Sequence, residues 1–248
     1  MATKKQSKKS EEKPLKFPKV KKIKITHIDP AIHVQNGLFD EGCYGSDCDD
    51  ICCQYGCDVD YQSYKLILKH SKKIERLTKA KIEDCFSTPL KPDDDYIDGG
   101  WRETAVNPKI ERCMFHFPDK KGCTLFYLWK IKGLPKELVP TICKTYPITW
   151  NRGDLFVDRP LRSECKCLDA TGGREVPSLY ETQKIEVARV FDINPSLLKD
   201  SIKKGEKLRE KKKKARSASA KKAAATRKKN ASSKSTSKKV TAKKRARA

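Results

Sequence analysis

The chain of 248 residues carries 56 Lys and Arg against 32 Asp and Glu, a formal net charge of +24. This charge lies at the ends, because residues 1–24 hold ten Lys and two Glu and residues 203–248 hold twenty-one Lys or Arg and two Glu. The remaining segment, 25–202, has a net charge of −3, which excludes a uniformly basic nucleic-acid-binding domain.

The N-terminal segment, residues 1–22, is poor in apolar residues and is predicted to be disordered. It is rich in Lys and lacks the apolar stretch of a secretory signal, and no run of about 18 apolar residues predicts a membrane span. The chain has 11 cysteines, an odd number. Clustered cysteines in a cytosolic chain more often bind metal or act in catalysis than form disulfides. We therefore expect a cytoplasmic protein with reduced or metal-bound thiols and no membrane partner.

Residues 23–202 are predicted to form one small α+β domain of short β-hairpins and flanking helices around a cysteine-ligated metal site. Alternating apolar residues over 23–28 predict a first strand. A helix extending to about Thr78 is expected to begin after Asp58 or Asp60, either of which can cap it. Pro, Gly and Asp are frequent between residues 87 and 109, which predicts a long connection.

Two hairpins are predicted in the second half of this domain. The first covers residues 112–127, with its turn at 119–122 and Cys123–Tyr127 as its return strand. The second covers residues 148–157, with its turn at 151–154. Each consists of short apolar runs around residues that favour turns.

Two helix starts are encoded near the C-terminus. Ser178 and Glu181 form a capping box for a helix that extends to about Phe191, and Asn194-Pro195 begins the next helix. The segment 203–248 is dominated by Lys, Arg, Ala, Ser and Thr and contains no aromatic residue. It is predicted to be disordered because it cannot bury a core.

A run of five cysteines within fifteen residues has the spacing C-x4-C-x3-C-C-x3-C. Sulfur atoms so close in sequence can converge on one ion about 2.3 Å from each. The Gly- and Asp-rich loop between them can offer amide N–H groups to the sulfurs. A metal or iron–sulfur site is therefore the first hypothesis for this loop. Its cysteines are Cys43, Cys48, Cys52, Cys53 and Cys57.

Later cysteines extend this pattern, with two of them flanking the predicted turn at 119–122. A third stands in the motif Pro-x-x-Cys-x-x-Tyr-Pro-Ile at 140–148, and a fourth follows the second hairpin. In this order the motifs resemble the bacterial cysteine-cluster proteins described as zinc- or iron-chelating (YkgJ-like), over about residues 38–202. The resemblance supports the predicted fold and implies a metal site with the ligands Cys43, Cys48, Cys52, Cys53, Cys113, Cys123, Cys143 and Cys165.

Several positions depart from the family pattern. Cys57, Cys85 and Cys167 fall outside it. The relatives carry His where this chain has Lys144, which weakens a catalytic interpretation of that position. Among the four histidines, only His116 lies within three residues of a predicted ligand.

Eight matching thiols exceed the four ligands of one closed tetrahedral zinc site. They fit two mononuclear sites, one [4Fe–4S] cluster with spare thiols, or a multinuclear centre. Ligation by sulfur alone suits zinc or iron–sulfur and disfavours magnesium and calcium. The vicinal pair and the surplus of thiols favour iron or an iron–sulfur cluster slightly over zinc.

The tail 203–248 resembles the Lys/Ala-rich tails of linker-histone-like proteins. Each phosphate that it neutralises would release counterions, so it predicts sequence-independent, salt-sensitive contact with nucleic acid and association with the nucleoid. Base stacking is excluded because the tail has no aromatic ring. The alternative is a solubilising extension without a specific partner.

The sequence leaves three functions open. The first is a metal-binding sensor or carrier that its tail tethers to nucleic acid. Related cysteine-cluster domains occur in a flagellin lysine N-methylase, so the second is an iron- or iron–sulfur-dependent protein-modifying enzyme, by family analogy alone. The third is a zinc-stabilised structural adaptor. The sequence shows no glycine-rich nucleotide loop and no His-Glu-x-x-His motif that would indicate another enzyme class.

Overall fold

A computed structural model describes residues 16–35, 50–158 and 177–245, and it confirms a small α+β domain with short sheets. The strands in these ranges are β1 Ile23–Ile25, β2 His27–Ile28, β3 Asp58–Asp60, β4 Lys91–Pro92, β5 Gly100–Glu103, β6 Val106–Asn107, β7 Arg112–Cys113, β8 Ile148–Asn151, β9 Asp154–Val157 and β10 Phe191–Ile193. The α-helices are α1 Tyr61–Lys69, α2 Ser71–Thr78, α3 Thr124–Lys130, α4 Thr141–Thr145, α5 Leu179–Val190 and α6 Pro195–Arg245. None of these helices is both long and apolar enough to cross a bilayer.

The predicted hairpin at 148–157 is confirmed as β8 and β9. Its turn residues Arg152 and Gly153 both have positive φ angles, 47° and 85°, which suits the right-handed twist of a two-residue hairpin. The predicted first strand is present in two parts. Strand β2 pairs in parallel with β9, and β1 pairs in parallel with β10.

Two hydrophobic clusters fill the domain. One lies beside the β2-β9-β8 sheet and includes Ile23, Ile28, Ile32, Ile148, Leu155, Val157, Leu179, Val187 and Phe191. The other lies between α1, α2, α3 and the segment before α4, and includes Val59, Ile67, Ile74, Phe86, Phe115, Leu125, Leu128, Leu138 and Val139. Four cysteines pack against this second cluster at its partly buried edge: Cys53, Cys57, Cys123 and Cys143.

The described residues include 16–22, which precede the predicted start of the domain at residue 23. Residues 1–15 lie outside the described ranges, but Phe17 stacks on Tyr61 with ring centroids 4.4 Å apart. Pro18 lies so close to Gly99 that a Cβ atom there would be 2.0 Å from the Pro18 carbonyl oxygen. Within the segment 1–22 that was predicted to be disordered, Phe17 and Pro18 therefore contact the domain.

The predicted return strand Cys123–Tyr127 is wrong, because residues 124–130 form helix α3. The turn itself is present, since the Phe117 N–H donates to the Gly122 carbonyl at 3.0 Å. After the turn, Leu125 and Leu128 are both buried, three residues apart. This helical spacing of the apolar residues prevails over the β-propensity of the segment.

The segment 87–109, predicted as a connection, contains three short strands. Strand β5 lies between β3 and β4, and both pairings are antiparallel. Strand β6 pairs with β7, which ends at Cys113. The turn-rich composition concealed these strands, because each is only two to four residues long.

The C-terminal segment 203–248 differs from the prediction of disorder, because helix α6 continues through it to Arg245. Lys, Arg and Ala are strong helix formers, and they need no core to favour this backbone locally. The base of the helix is fixed on the 3₁₀ turn Pro30–His33. His33 Nε2 lies 2.9 Å from Ser201 Oγ, and the Arg209 guanidinium donates to the His33 carbonyl at 2.7 Å.

Candidate metal centre

Six thiols line one cavity of about 480 Å³ at the edge of the second hydrophobic cluster. The rest of the wall is largely apolar and aromatic and includes Phe115, Leu125, Phe126 and Ile142. The structure thus brings together two parts of the chain that are about 60 to 90 residues apart in sequence. The six are Cys52, Cys53, Cys57, Cys113, Cys123 and Cys143.

Five of the eight predicted ligands are among these six thiols. The other three, Cys43, Cys48 and Cys165, lie outside the described residues, as does Cys167. The sixth lining thiol is Cys57, which the family pattern did not include.

Cys57 lines the cavity together with Cys113 and Cys143, close enough for each of these thiols to shift its pKa. Its backbone is fixed by two hydrogen bonds with Thr104: the Cys57 N–H donates to Thr104 Oγ1 at 2.8 Å, and the Thr104 N–H donates to the Cys57 carbonyl at 2.9 Å. The preceding Gly56 has φ of +76°, and a Cβ atom there would lie 2.6 Å from Thr104 Oγ1. The structure therefore makes Cys57 a central member of the group.

Cys52 and Cys53 enter the cavity from the 3₁₀ turn Ile51–Cys53, with their sulfur atoms 3.9 Å apart. Two sulfurs bound to one zinc at about 2.3 Å in tetrahedral geometry would be separated by about 3.8 Å. The pair is therefore spaced as two ligands of one ion would be.

The remaining thiols are held by elements of the second hydrophobic cluster. Cys113 ends β7, Cys123 directly precedes α3, and Cys143 lies within α4. Cys123 is the N-cap residue of α3, and the backbone N–H groups of Leu125 and Phe126 in the first turn oppose the rise of its pKa. N–H groups directed at sulfur stabilise thiolate, which is the form that binds metal.

Burial gives these thiols a strong preference for the protonated form. It raises the pKa of Cys123 to about 12. The neighbouring Cys57 thiol, followed by burial, raises the pKa of Cys113 well above its usual value. A divalent cation among the sulfurs would reverse this preference, and its binding would release protons.

Within residues 16–35, 50–158 and 177–245, no group of three or more His, Cys, Asp or Glu side chains is arranged to hold a metal ion. The thiols meet instead as neighbouring pairs around a shared cavity. Their chemistry fits zinc or iron–sulfur and does not fit magnesium or calcium. A bound centre would therefore draw these pairs together, with the sequence-predicted Cys43, Cys48 and Cys165 as further candidate ligands.

His116 lines the same cavity, but both of its ring nitrogens are engaged. Nδ1 donates to the Phe117 carbonyl at 2.6 Å, and Nε2 lies 3.0 Å from Asp50 Oδ2. Since both partners are acceptors, the ring donates from both nitrogens and is an imidazolium. The hydrogen bond with Asp50 raises the pKa of His116 accordingly.

Replacing His116 with Gln is expected to leave the metal-to-protein ratio unchanged, because no ring nitrogen is free to ligate. The free energy of unfolding should fall by about 1–3 kcal/mol through the loss of the hydrogen bond to the partly buried Asp50. Elemental analysis and urea denaturation of the variant measure the two effects. A clear loss of metal in a folded variant would show that His116 is a ligand.

Cys85 and Lys144 do not line the cavity. The Cys85 thiol is buried in the second hydrophobic cluster and donates to the Lys81 carbonyl at 3.4 Å. Lys144 is buried in α4, and within the described structure its ammonium has no hydrogen-bond partner. Burial lowers the pKa of Lys144, and nearby Asp60 opposes this effect.

Asp60 connects the strand that follows Cys57 to the helix that carries Cys143. One carboxylate oxygen accepts the Ser63 N–H at 3.0 Å as the cap of α1. The other accepts the Ser63 hydroxyl at 3.1 Å and the Thr141 N–H at 2.8 Å. Because Thr141 begins α4, this buried carboxylate fixes the position of the Cys143 backbone.

Substitution of Asp60 with Ala is expected to lower the free energy of unfolding by about 2–4 kcal/mol, since it removes a helix cap and leaves the Thr141 N–H without this acceptor. Ser63→Ala is the comparison variant, because it keeps both backbone bonds to Asp60 and removes only the hydroxyl bonds to Asp60 and to the Glu137 and Val139 carbonyls, so it should cost about 1–2 kcal/mol. Urea denaturation distinguishes the two variants. Equal stabilities would show that the carboxylate does not connect these elements.

In comparisons with known proteins, no family model, no curated protein and no solved structure matches the chain.

Proposed function

We propose that the chain is a metal-binding protein that holds iron, an iron–sulfur cluster or zinc in the six-thiol cavity. The observation that carries this proposal is the convergence of Cys57, Cys113, Cys123 and Cys143 on the Cys52–Cys53 pair. Six thiols around one cavity exceed the ligand number of one tetrahedral zinc. This surplus favours an iron–sulfur or multi-iron centre, with zinc as the other metal that the donor set accepts.

The protein's own groups would hold the centre and tune it. The thiols would supply the ligands, and the backbone N–H groups at Cys123 would stabilise the charge on its sulfur. The apolar wall formed by Phe115, Leu125 and Phe126 would limit access of water. When bound, iron or an iron–sulfur cluster supplies redox chemistry, whereas zinc supplies a rigid structural link.

The second part of the proposal is that the basic segment 203–248 contacts nucleic acid. Its support is the charge of +19 in 46 residues, all of it outside the near-neutral domain. The seven cysteines in the described part of the chain carry thiols rather than disulfides, which suits a reducing cytoplasm. A metal-binding domain tethered to a polyanion is the function that combines these observations.

The test of the metal proposal is elemental analysis and an absorption spectrum of anaerobically purified full-length protein. Iron with absorbance near 400 nm is expected for an iron–sulfur centre, and stoichiometric zinc without colour for a zinc site. Folded protein that contains neither metal, and takes up neither on reconstitution, would contradict the proposal. Proton release during reconstitution provides an independent readout, because the buried thiols start protonated.

A further inference from the structure

Lysines recur on helix α6 at the spacing of two helical turns. Lys207, Lys214 and Lys221 are seven residues apart, and Lys204 and Lys211 form a second pair with the same spacing. Residues seven apart on an α-helix differ by only about 20° in direction. All five side chains are exposed. They form one continuous row on the helix, the lysine stripe.

Other cations on this part of α6 lie away from the stripe. Lys212, Lys213 and Arg216 are about 120–180° from its centre, and they too are exposed. Between Lys214 and Lys221 the stripe contains only the small residue Ala218. The helix therefore presents Lys214 at one end and Lys221 at the other end of a shallow gap about 10.5 Å long.

The base of the stripe is fixed to the domain. Gly205 packs on His33 so closely that a Cβ atom at this position would lie 2.6 Å from the His33 Cβ. Ser201 and Arg209 hydrogen-bond to the same residue, on either side of Lys204 and Lys207. The direction of the helix, and hence of its charges, is set by the folded domain.

A row of charges on an anchored helix suits a ligand whose phosphates are also fixed in space. The major groove of B-DNA is about 12 Å wide, close to the distance of about 10.5 Å that separates Lys214 from Lys221 along the helix axis. On a helix that crosses the groove, these two lysines can therefore reach the phosphates on its two sides. The major groove of double-stranded RNA is deep and narrow, so its width does not match this spacing.

We propose that α6 binds double-stranded DNA through the lysine stripe, with Ala218 facing the major groove and Lys214 and Lys221 on the phosphates of opposite strands. The inference rests on the proposed contact of the basic segment with nucleic acid and assigns it a ligand class and an orientation. Binding is independent of base sequence, because lysine ammonium groups on phosphates do not read base edges. The described part of α6 contains no aromatic ring, so single strands gain no stacking.

The test compares two full-length variants that lose the same charge. K207Q/K214Q/K221Q removes three cations from the stripe, and K212Q/K213Q/R216Q removes three from the other side of α6. Gln is a good helix former, so both should keep the helix, which circular dichroism checks. Fluorescence anisotropy at low salt measures binding to a 30-base-pair DNA duplex, an RNA duplex of the same length and single-stranded DNA.

The wild-type chain should bind the DNA duplex on the order of tenfold more tightly than the other two ligands. The stripe variant should lose on the order of tenfold in DNA affinity and about 3 in the slope of log affinity against log salt. The off-stripe variant should lose clearly less of both. Equal losses of DNA affinity in the two variants would show that the lysine stripe is not the binding surface. If the wild-type chain bound RNA or single-stranded DNA as tightly as the DNA duplex, or more tightly, the assignment of double-stranded DNA as the ligand would be wrong. A wild-type chain that binds none of the three would instead overturn the nucleic-acid part of the proposed function.

Discussion

Replacing Cys57 with serine should abolish stable metal binding. Cys57 lines the cavity beside Cys113 and Cys143, so an ion bound by these thiols could join both parts of the chain. Serine keeps the approximate size of the side chain but is a poor ligand for zinc or iron compared with thiolate. Since loss of groups that merely support a ligand weakens metal affinity about 10–100-fold, loss of a central ligand should weaken it more than 100-fold.

Cys85→Ser is the matched control, because Cys85 is a buried free thiol in the same hydrophobic cluster but does not line the cavity. It should keep the wild-type metal-to-protein ratio. Elemental analysis of both variants after anaerobic purification gives the metal-to-protein ratio, and competition against a chelator gives the metal affinity. A Cys57 variant with wild-type metal content would show that the family pattern, which omits Cys57, describes the ligand set correctly. Metal loss in both variants would indicate general destabilisation instead.

A sequence signal for Cys57 existed but was not decisive. Cys57 follows Cys53 with the spacing C-x3-C, which also separates Cys48 from Cys52. Spacing alone cannot show which thiols meet, because the neighbours of Cys57 in space are Cys113 and Cys143, 56 and 86 residues away. Their encounter depends on β3, β7 and α4 packing around one hydrophobic cluster. It is therefore a property of the tertiary fold and not of the local motif.

The same distinction separates the predictions of secondary structure that succeeded from those that failed. The hairpin of β8 and β9 and the cap at Ser178 are encoded by contiguous residues, and both are confirmed. The parallel pairing of β1 with β10 joins residues 168 positions apart, which no local pattern reveals. Helix α3 was mistaken for a strand because its aromatic residues favour both conformations, and only the burial of Leu125 and Leu128 decides between them.

Removing residues 211–248 should reduce nucleic-acid affinity at low salt at least 100-fold while the metal-to-protein ratio stays unchanged. The deletion takes away seventeen Lys and Arg and no acidic residue, so the net charge falls from +24 to +7. Binding that depends on phosphate neutralisation loses its counterion-release contribution when these cations are absent. Metal content should not change, because no described residue of α6 lines the thiol cavity.

The position of the cut decides whether this experiment reports binding or folding. A chain ending at residue 210 keeps the Ser201 and Arg209 contacts with His33, and the packing of Gly205 on the same residue. A chain ending at residue 202 loses the Arg209 hydrogen bond and the Gly205 packing. It should therefore unfold at a lower urea concentration than the chain ending at residue 210, although both truncations remove most of the positive charge. Retained DNA retardation by residues 1–210 would place the nucleic-acid contact on the domain. Loss of metal from this truncation but not from the full-length stripe variant would mean that α6 supports the thiol cavity through the 3₁₀ turn Pro30–His33, the element that directly precedes the cysteine loop.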